Sequence, residues 1–347
     1  MRILLISPTF SGSLGDMAYR TLTAQGHDVY PFDYRAETFG MDYAQRTVSD
    51  LFDRLKYYTQ KIIWDPVKRM NRRLASYATQ LQPDLALAIK GELINAQSIQ
   101  AMSQNGVKTA LWYPDTSTRL LTKPARIGTA SLPYYDICFF CDIAHLNKTL
   151  TQKICRVEYL TFACDPNLHK KVTLTADEFE YYRSDICFVG NSHGDSSIRD
   201  KTLGALLDFN IKIWGNNWQQ TAVFQKNPQC FGPSLYGQTL VKAYNAAKIA
   251  LNINGNYPYL NLRNFEAPAC GPLLVTSHVP DLDRCFLLNE EVVPFSNLTD
   301  LRHRLSHFLT YTEERVRVAE KGYLRVHRDH TLRARMQQLL DLAFDTA

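Results

Sequence analysis

The stretch Asn261-Leu-Arg-Asn-Phe-Glu-Ala-Pro-Ala-Cys-Gly-Pro-Leu-Leu-Val275 indicates the fold class. A short helix is predicted over Leu262–Ala269, and Gly271, just past its end, can take the left-handed conformation that caps helices. The apolar strand Leu273–Thr276 follows at once. A helix that passes directly into a fully apolar strand is typical of an α/β protein with a buried parallel sheet.

The same alternation continues on both sides of that stretch. Predicted helices at Ser196–Phe209 and Leu235–Ala247 separate short runs of β-branched and aromatic residues, and helical sequence follows the last run almost to the end of the chain. The strand candidates are Asp185–Gly190, Ile211–Gly215, Lys248–Ile253 and Glu291–Phe295. The second half of the chain is therefore predicted to be a βα series.

The first half repeats this organisation without repeating the sequence. It opens with a strand at Arg2–Ser7 and a helix from about Leu14 to Gln25, and Asp65-Pro66 is a helix start with proline at the first helical position. Its other strand candidates are Asp28–Asp33, Asp84–Lys90, Lys108–Tyr113, Asp136–Cys141 and Val157–Phe162. Strands that are apolar on both faces predict a parallel sheet covered by helices on both sides.

Two successive βα series predict two facing Rossmann-like domains. The polar stretch Lys170–Ser184 separates an N-terminal domain, residues 1–170, from a C-terminal domain, residues 185–330. Residues 331–347 are predicted to form a final amphipathic helix. Ligands of such sheets bind beyond the carboxyl ends of the strands, which predicts a site in the cleft between the domains.

The composition excludes several classes of protein. A chain of 347 residues with 45% apolar residues is an ordinary globular protein, and a net charge of +5 is too small for a dedicated nucleic-acid binder. The apolar runs are far shorter than the roughly 20 residues that span a bilayer. The run Met1–Pro8 lacks a cleavage site, so a buried strand is favoured over an export signal. The eight cysteines, including Cys138 and Cys141, are predicted to be reduced core thiols, which favours the cytoplasm.

A glycine-containing loop follows the first predicted strand and opens a helix. Gly12, Ser13 and Gly15 offer exposed backbone amides to an anionic or sugar group, such as an acceptor or a diphosphate. The spacing is G-x-x-G, so the dinucleotide fingerprint G-x-G-x-x-G is absent. Asp33 nevertheless lies where that fingerprint places an acid, which leaves a nicotinamide enzyme as an alternative.

A second loop follows the strand Asp185–Gly190. Its glycines permit close backbone approach, and an arginine one turn into the next helix can pair with a phosphate through two hydrogen bonds. A simple turn is the alternative interpretation. The residues concerned are Gly190, Asn191, Ser192 and Arg199.

Arg263 and Glu266 are three residues apart, so they share one face of the predicted helix Leu262–Ala269. A surface ion pair is the simplest interpretation. At a cleft, the same pair offers a cation for a diphosphate and a carboxylate that accepts hydrogen bonds from ribose hydroxyls. The strand that follows would hold both side chains rigidly.

The run from Asp185 to His330 resembles the C-terminal half of the CgeB-type, spore-maturation-like glycosyltransferases, a GT-B family. The N-terminal half is similar only in its general layout. Several blocks in the same order carry the resemblance: Cys187-Phe-Val-Gly-Asn191, Ile213-Trp-Gly215, Ala247-Lys-Ile-Ala-Leu-Asn252, Asn261–Gly271, Glu291-Val-Val-Pro-Phe295 and Gly322 with His330-Thr331.

The resemblance implies a nucleotide-sugar donor bound by the C-terminal domain, an acceptor bound by the N-terminal domain, no required metal, and a last helix that packs back on the N-terminal domain. Related GT-B enzymes carry an E-x7-E motif. Glu266 is similar to its second glutamate, which contacts ribose, whereas Pro258 stands where the first would be. The implied donor-binding residues are Gly190, Asn191, Ser192, Arg199, Gly215, Asn261, Arg263 and Glu266.

An inverting reaction would need a general base from the N-terminal domain. Asp115, just beyond a predicted strand end, is the first candidate, Asp16 is another, and Asp142 lies in a similar loop. A helix cap or turn residue is the alternative for each of them. Asp281-Leu-Asp283 resembles the metal-binding D-x-D of the other major glycosyltransferase fold, and we interpret it as a loop or cap.

Two segments are strongly basic. Lys68, Arg69, Arg72 and Arg73 follow Asp65-Pro66, and their helix face is either simply solvated or docks on an anionic acceptor or membrane surface. The stretch Leu301–Arg335 is rich in Arg and His but has no H-E-x-x-H, so a solvated helix face is favoured over a zinc site.

The sequence thus predicts a cytoplasmic, metal-independent glycosyltransferase that moves a sugar from a nucleoside diphosphate to a glycan, protein or small-molecule acceptor. One alternative is a non-catalytic nucleotide- or sugar-binding protein of the same architecture, which Pro258 favours. A nucleotide-sugar epimerase is another.

Overall fold

The computed structural model describes residues 1–10, 12–39, 65–115, 120, 126–142, 154, 156–254 and 259–345. The chain divides into two compact units: Met1–Thr161 together with Arg335–Ala347, and Phe162–Ala334. Each unit contains a six-stranded sheet whose strands pair in parallel. The predicted α/β class with two Rossmann-like sheets is confirmed.

The first sheet consists of β1 (Arg2–Ile6), β2 (Asp28–Phe32), β3 (Leu85–Ile89), β4 (Lys108–Tyr113), β5 (Ile137–Phe140) and β6 (Val157–Tyr159). The strands lie in the order β2-β1-β3-β4-β5-β6, and each overlaps a predicted strand. Strands β1, β3, β4 and β5 are buried at nearly every residue. Strand β2 differs from the prediction because it lies at the edge of the sheet, where Asp28, Tyr30 and Pro31 are exposed.

The second sheet consists of β7 (Ser184–Val189), β8 (Ile211–Trp214), β9 (Phe231–Gly232), β10 (Ala247–Asn252), β11 (Leu273–Ser277) and β12 (Val293–Phe295). Its order is β12-β11-β10-β7-β8-β9. The connections run outward in both directions from β7 and β10, which makes the crevice beyond these two strands the topological switch point of a doubly wound sheet. Only β9 has no predicted counterpart, because two residues are too few to show an alternation.

Successive residues of β10 pack on opposite faces of the second sheet. Ile249 and Leu251 belong to the apolar cluster that contains Phe188, whereas Ala250 belongs to the cluster that contains Cys187. Because side chains alternate along a strand, a sheet with two apolar clusters needs strands that are apolar at every position. This is the physical reason why the strands were recognisable in the sequence.

The helices of the described residues connect the strands and cover the sheets. At the helix that begins at Pro66, Asp65 Oδ1 accepts hydrogen bonds from the backbone nitrogens of Val67 (3.1 Å) and Lys68 (3.2 Å), as the predicted cap requires. The helices are α1 (Leu14–Ala24), α2 (Tyr34–Phe39), α3 (Pro66–Leu81), α4 (Ala96–Gln104), α5 (Arg126–Ser131), α6 (Ala176–Tyr182), α7 (Ile198–Gly204), α8 (Ala222–Lys226), α9 (Gly237–Asn245), α10 (Arg263–Ala269), α11 (Leu282–Cys285), α12 (Leu298–Thr310), α13 (Thr312–Asp329) and α14 (Leu332–Phe344).

Two helical predictions are refined by the structure. The predicted helix Ser196–Phe209 is shorter, because Ser197 caps α7 through its side chain and the helix ends at Gly204. The long C-terminal helical stretch is three helices, α12 to α14. Among the described residues, no helix is long and apolar enough to cross a bilayer.

The paired cysteines Cys138 and Cys141 are both buried, and they have separate surroundings. Cys138 lies in the apolar core of the first unit, whereas Cys141 Sγ contacts the carbonyl oxygen of Pro114 at 3.2 Å. Each thiol thus has its own neighbours, as the alternation of side chains along the predicted strand Asp136–Cys141 implies.

Candidate functional site

The loops that follow β7 and β8 touch each other at the switch point of the second sheet. Gly190 donates its backbone N–H to Trp214 (2.8 Å), and its carbonyl oxygen accepts from Trp218 Nε1 (3.0 Å). A Cβ atom on Gly215 would lie 2.2 Å from the Gly190 oxygen, so the two backbones can approach only because residue 215 is glycine. Two of the predicted site glycines therefore stand together.

The loop after β7 is organised by a residue that sequence reasoning missed. Asp200 is fully buried and accepts hydrogen bonds from the Ser192 hydroxyl, the His193 backbone nitrogen (3.2 Å) and the Ser197 hydroxyl (2.8 Å). Asn191 Oδ1 in turn accepts from the backbone nitrogen of Asn216 at 2.9 Å. Asn191 and Ser192 thus shape the loop through their side chains. Asp200 stands three residues after Ser197, and an acid at this spacing from a serine near a predicted helix start was the available signal.

Arg199 is enclosed by the protein. Its side chain donates from Nη1 to the Asn191 carbonyl (3.0 Å) and from Nη2 to the Ile253 carbonyl (3.3 Å), and the residue is only 6% exposed. The His193 Nε2 lies 3.0 Å from Nη1 and must accept, because a guanidinium only donates. Burial, followed by the charge of Arg199, lowers the pKa of His193, consistent with that role. Arg199 therefore ties the loops after β7 and β10 together.

Arg263, at the first turn of α10, is the more available arginine. Nε donates to Asn252 Oδ1 (2.9 Å) and Nη1 donates to the Val189 carbonyl (3.2 Å). A guanidinium carries five N–H donors, so three have no partner among the residues that the structure describes. The guanidinium carbons of Arg199 and Arg263 lie 5.7 and 5.9 Å from the centre of the same Phe188 ring. The structure thus brings both predicted cations to the end of β7.

A buried amide network supports Arg263, and sequence reasoning recognised only Asn261 of it. Asn261 Oδ1 accepts from the Arg263 backbone nitrogen at 3.0 Å, which fixes the start of α10. Asn252, Asn264 and Thr276 are each 0% exposed and are joined by side-chain hydrogen bonds. Buried amides need mutual partners because each lost bond costs about 1–3 kcal/mol.

Glu266 lies on the same helix but is buried. Tyr244 donates its hydroxyl to Glu266 Oε1 at 3.4 Å, and His169 Nε2 lies 3.9 Å from Oε2. Burial raises the pKa of Glu266 to about 7, while the charge of Arg263 and the bond from Tyr244 act in the opposite direction. His169 Nδ1 accepts from the Asp165 backbone nitrogen (3.0 Å), so its proton is on Nε2, facing the carboxyl group.

The loop after β1 satisfies its own polar groups. Ser13 Oγ accepts from the Asp16 backbone nitrogen (3.1 Å), and Asp16 Oδ2 accepts from the Gly12 nitrogen (3.1 Å) and from Arg20 (3.2 Å). A Cβ atom on Gly15 would lie 2.2 Å from the Pro8 oxygen, so this glycine allows α1 to pack closely on the loop. These contacts match the alternative interpretation of Asp16 as a residue of the helix start.

Asp115 lies beyond the carboxyl end of β4 and pairs with Lys90, which follows β3. The Lys90 Nζ to Asp115 Oδ2 distance is 2.7 Å, with side chains 31% and 24% exposed. Lys90 has a φ of 68°, a conformation that non-glycine residues rarely adopt. The ends of two neighbouring strands therefore present a partly exposed ion pair.

The other predicted acids have structural surroundings. Asp33 caps α2 through the Arg35 and Ala36 nitrogens and also accepts from the Thr9 nitrogen, so its oxygens are already used. Asp142 is buried just after β5. Asp281 directly precedes α11, as a cap position would.

The basic stretch Leu301–Arg335 forms ion pairs and backbone contacts within its own unit. Arg302 pairs with Asp208 through both terminal nitrogens, and Arg325 pairs with Glu291 and Asp329. Among the described residues, no group of three or more His, Cys, Asp or Glu side chains is placed to hold a metal ion. Pro258, which stands where the first glutamate of the E-x7-E motif would be, lies outside the described residues.

Comparison with protein families gives a match over most of the second unit. Residues 199–341 match the family model described as glycosyl transferase-like. That range contains Arg199, Arg263, Glu266 and the whole amide network. Comparison with curated proteins gives no significant match.

Comparison with solved structures extends the likeness to the whole chain. Sucrose-phosphate synthase from Thermosynechococcus elongatus superposes with a TM-score of 0.69 at 15% identity, covering 99% of this chain and 98% of that chain. HepE from Anabaena, in complex with UDP and glucose, gives a TM-score of 0.64 at 10% identity and 99% coverage of both chains. An Escherichia coli structure described as trehalose-6-phosphate bound with UDP-2-fluoro glucose gives 0.62 at 13% identity and 100% coverage of both. The chain has the GT-B glycosyltransferase fold.

Proposed function

We propose that the protein is a glycosyltransferase that moves a sugar from a uridine-diphosphate sugar to an acceptor. The observation that supports this most directly is the position of Arg263 beside Gly190 at the switch point. Three N–H donors of its guanidinium have no partner among the described residues. The glycosyl transferase-like match over 199–341 supports the class of reaction, and the UDP bound to HepE supports the nucleotide. A closer relationship to the CgeB-type enzymes and a cytoplasmic location are part of the same proposal.

In the proposed reaction the acceptor oxygen forms a bond to the anomeric carbon, and the bond from that carbon to the diphosphate oxygen breaks. Arg263 stabilises the negative charge that develops on the leaving diphosphate, and stabilisation of this kind usually contributes most to the rate enhancement. Glu266 accepts hydrogen bonds from the ribose hydroxyls of the donor. Arg199 contributes by holding the loop, because its two terminal nitrogens donate to the carbonyl groups of Asn191 and Ile253.

Asp115 is our candidate for the base that takes the proton of the acceptor hydroxyl. Its carboxylate lies at a strand end of the N-terminal sheet and is partly exposed, as contact with an acceptor requires. We also propose that no metal ion takes part, with the cation of Arg263 in its place. Contact of the basic face of α3 with an anionic acceptor or a membrane surface is a further part of the proposal.

Binding of UDP, measured by titration calorimetry, tests the donor site. We expect Arg263→Ala and Glu266→Gln to weaken UDP binding by at least about tenfold, since the first removes a cation that pairs with the diphosphate and the second replaces a carboxyl oxygen that accepts from a ribose hydroxyl. Arg302→Ala is the matched control, because Arg302 pairs with Asp208 near the amino end of β8 and should leave the Kd unchanged. If both site variants bind UDP as tightly as the wild type, the assignment is wrong.

Sugar transfer by the wild type and by Asp115→Asn tests the reaction. With UDP-glucose and a panel of acceptors, Asp115→Asn should abolish transfer and leave UDP binding unchanged, and transfer should persist in EDTA. Loss of transfer in EDTA that Mg²⁺ restores would overturn the metal-free part of the proposal. Epimerised product without an acceptor would favour the epimerase.

A further inference from the structure

Asn252 is the last residue of β10 and links Arg263 to the buried amide network. Its Oδ1 accepts from Arg263 Nε at 2.9 Å and from Asn261 Nδ2 at 3.2 Å. Its side chain is 0% exposed, so water cannot replace either bond. Arg263 is therefore held at Nε by a side chain that no ligand can reach.

The other end of the Asn252 amide fixes its orientation. Nδ2 lies within hydrogen-bond distance of Asn254 Oδ1 (3.0 Å), Asn264 Oδ1 (3.0 Å) and Thr276 Oγ1 (3.2 Å). A rotated amide would turn its N–H groups toward the guanidinium, which only donates, and its oxygen toward two carbonyl oxygens. Only one orientation of the amide satisfies all of these neighbours.

Two contacts then define the plane of the guanidinium. Nε is fixed by Asn252, and Nη1 by the carbonyl of Val189 at 3.2 Å. Nη1 lies next to Gly190, where a Cβ atom would come within 3.3 Å of it. Because a planar fork binds phosphate oxygens only in the right plane, orientation decides how well Arg263 binds an anion.

We propose that Asn252 is a positioning residue for the reaction, which holds Arg263 in the orientation that binds the diphosphate of the donor. This inference rests on the proposed donor site. An amide suits the task better than a carboxylate, because it accepts the Nε bond without neutralising the charge of Arg263. The full positive charge is therefore directed to the ligand.

A double-mutant cycle separates positioning from simple structural support. UDP affinity is measured by titration calorimetry for the wild type, Asn252→Ala, Arg263→Ala and the double variant, with melting temperatures in parallel. We expect Asn252→Ala to weaken UDP binding about tenfold, and to have no further effect once Arg263 is alanine. Asn245→Ala is the matched control, because Asn245 is another asparagine of the second unit and its hydrogen bonds go to Lys170, Val172 and Val241, outside the network. Its UDP affinity should stay within about twofold of the wild type.

Two results would overturn the inference. One is an equal loss of affinity from Asn252→Ala in both backgrounds, and the other is an equal loss in Asn245→Ala, since either means that Asn252 acts only on the fold. If Arg263→Ala binds UDP like the wild type, the donor site itself fails, which is a distinguishable outcome. Should Asn252→Ala not fold, Asn252→Asp provides the test: it keeps an acceptor for Nε but pairs the charge, so UDP binding should weaken, and unchanged binding would contradict the inference.

Discussion

At Glu266, a carboxyl group is almost completely buried, with only 6% of the residue exposed. Its nearest polar neighbours are Tyr244 and His169, and its helix neighbours Phe265, Ala267 and Pro268 are all buried. Removing a carboxylate from water favours the protonated form, which is why burial dominates the raised pKa of about 7. The free energy of unfolding therefore depends on pH through the ionisation of Glu266.

The coupling has a definite sign. With a folded-state pKa of about 7 and an ordinary value of 4.5, the folded protein holds a proton that the unfolded chain releases between these values. The stabilisation is complete below pH 4.5 and is lost as the pH rises to about 7. Between pH 5 and pH 8 we expect the free energy of unfolding to fall less in Glu266→Gln than in the wild type, by up to about 3 kcal/mol. Urea unfolding of both proteins at pH 5 and pH 8 measures it.

The control for that comparison is Glu320→Gln, whose side chain is 49% exposed. Its difference in stability from the wild type should not vary between the two pH values. If wild type and Glu266→Gln lose stability in parallel from pH 5 to pH 8, then Glu266 is ionised throughout, and its carboxylate is stabilised by Arg263 more than burial opposes it.

The sequence predicts which residues lie at the site better than it predicts what each of them does there. Arg263 and Glu266 were identifiable because helical spacing puts them on one face, but the spacing does not reveal that the first reaches β7 while the second is buried beside α9. Arg199 looked equally suited to a phosphate, and only the structure shows that both of its terminal nitrogens donate to carbonyl groups, those of Asn191 and Ile253. These roles depend on contacts between residues that are far apart in the chain. Such contacts cannot be read from a single sequence.

At the scale of elements, the loop between β7 and α7 depends on Asp200. Replacing Asp200 by alanine leaves the Ser192 and Ser197 hydroxyls and the His193 nitrogen without their acceptor. We expect Asp200→Ala to lower the free energy of unfolding by roughly 1–3 kcal/mol, since the buried Ser192 hydroxyl loses its acceptor together with two less buried donors. Denaturant unfolding measures this loss.

Asp208→Ala is the comparison for Asp200→Ala, because Asp208 is also paired but its side chain is 60% exposed. Exposed ion pairs contribute about 0–1 kcal/mol, so this variant should stay close to the wild type. Equal stability losses in the two variants would show that Asp200 does not organise the loop.

The sheets were far easier to predict than these loops. Strands such as β3 and β10 are apolar on both faces, so composition alone marks them, whereas the edge strand β2 and the two-residue β9 lack that signal. Asn252 illustrates the limit, because it continues an apolar strand in the sequence, yet its side chain is the hub of a polar network. Burial of a polar residue is visible only when its partners are in place.

At the scale of the whole molecule, α14 belongs to the unit at the other end of the chain. Arg335–Ala347 clusters with Met1–Thr161, Leu339 is 0% exposed, and Arg156 donates to the Leu342 carbonyl at 3.0 Å. We expect Leu339→Ala to cost roughly 2–5 kcal/mol in the first unit, because it leaves a cavity there. Hydrogen exchange should show weakened protection in β1–β6.

Leu305→Ala, which alters a fully buried residue of α12 in the second unit, provides the reciprocal control. It should weaken protection in β7–β12 and leave the first sheet unchanged. The division of the chain would be contradicted if Leu339→Ala reduced protection in the second sheet to the same extent as in the first.

The return of the chain to its first unit also determines the order of events during translation. Domains usually fold as they leave the ribosome, with the N-terminal one first. Here the segment Phe162–Ala334 has all of its residues before Arg335 is made, while the unit that begins at Met1 still lacks α14. The half that is synthesised first is therefore the half that completes its core last, so until then the nascent protein exposes the apolar surface that Met336 and Leu339 will cover.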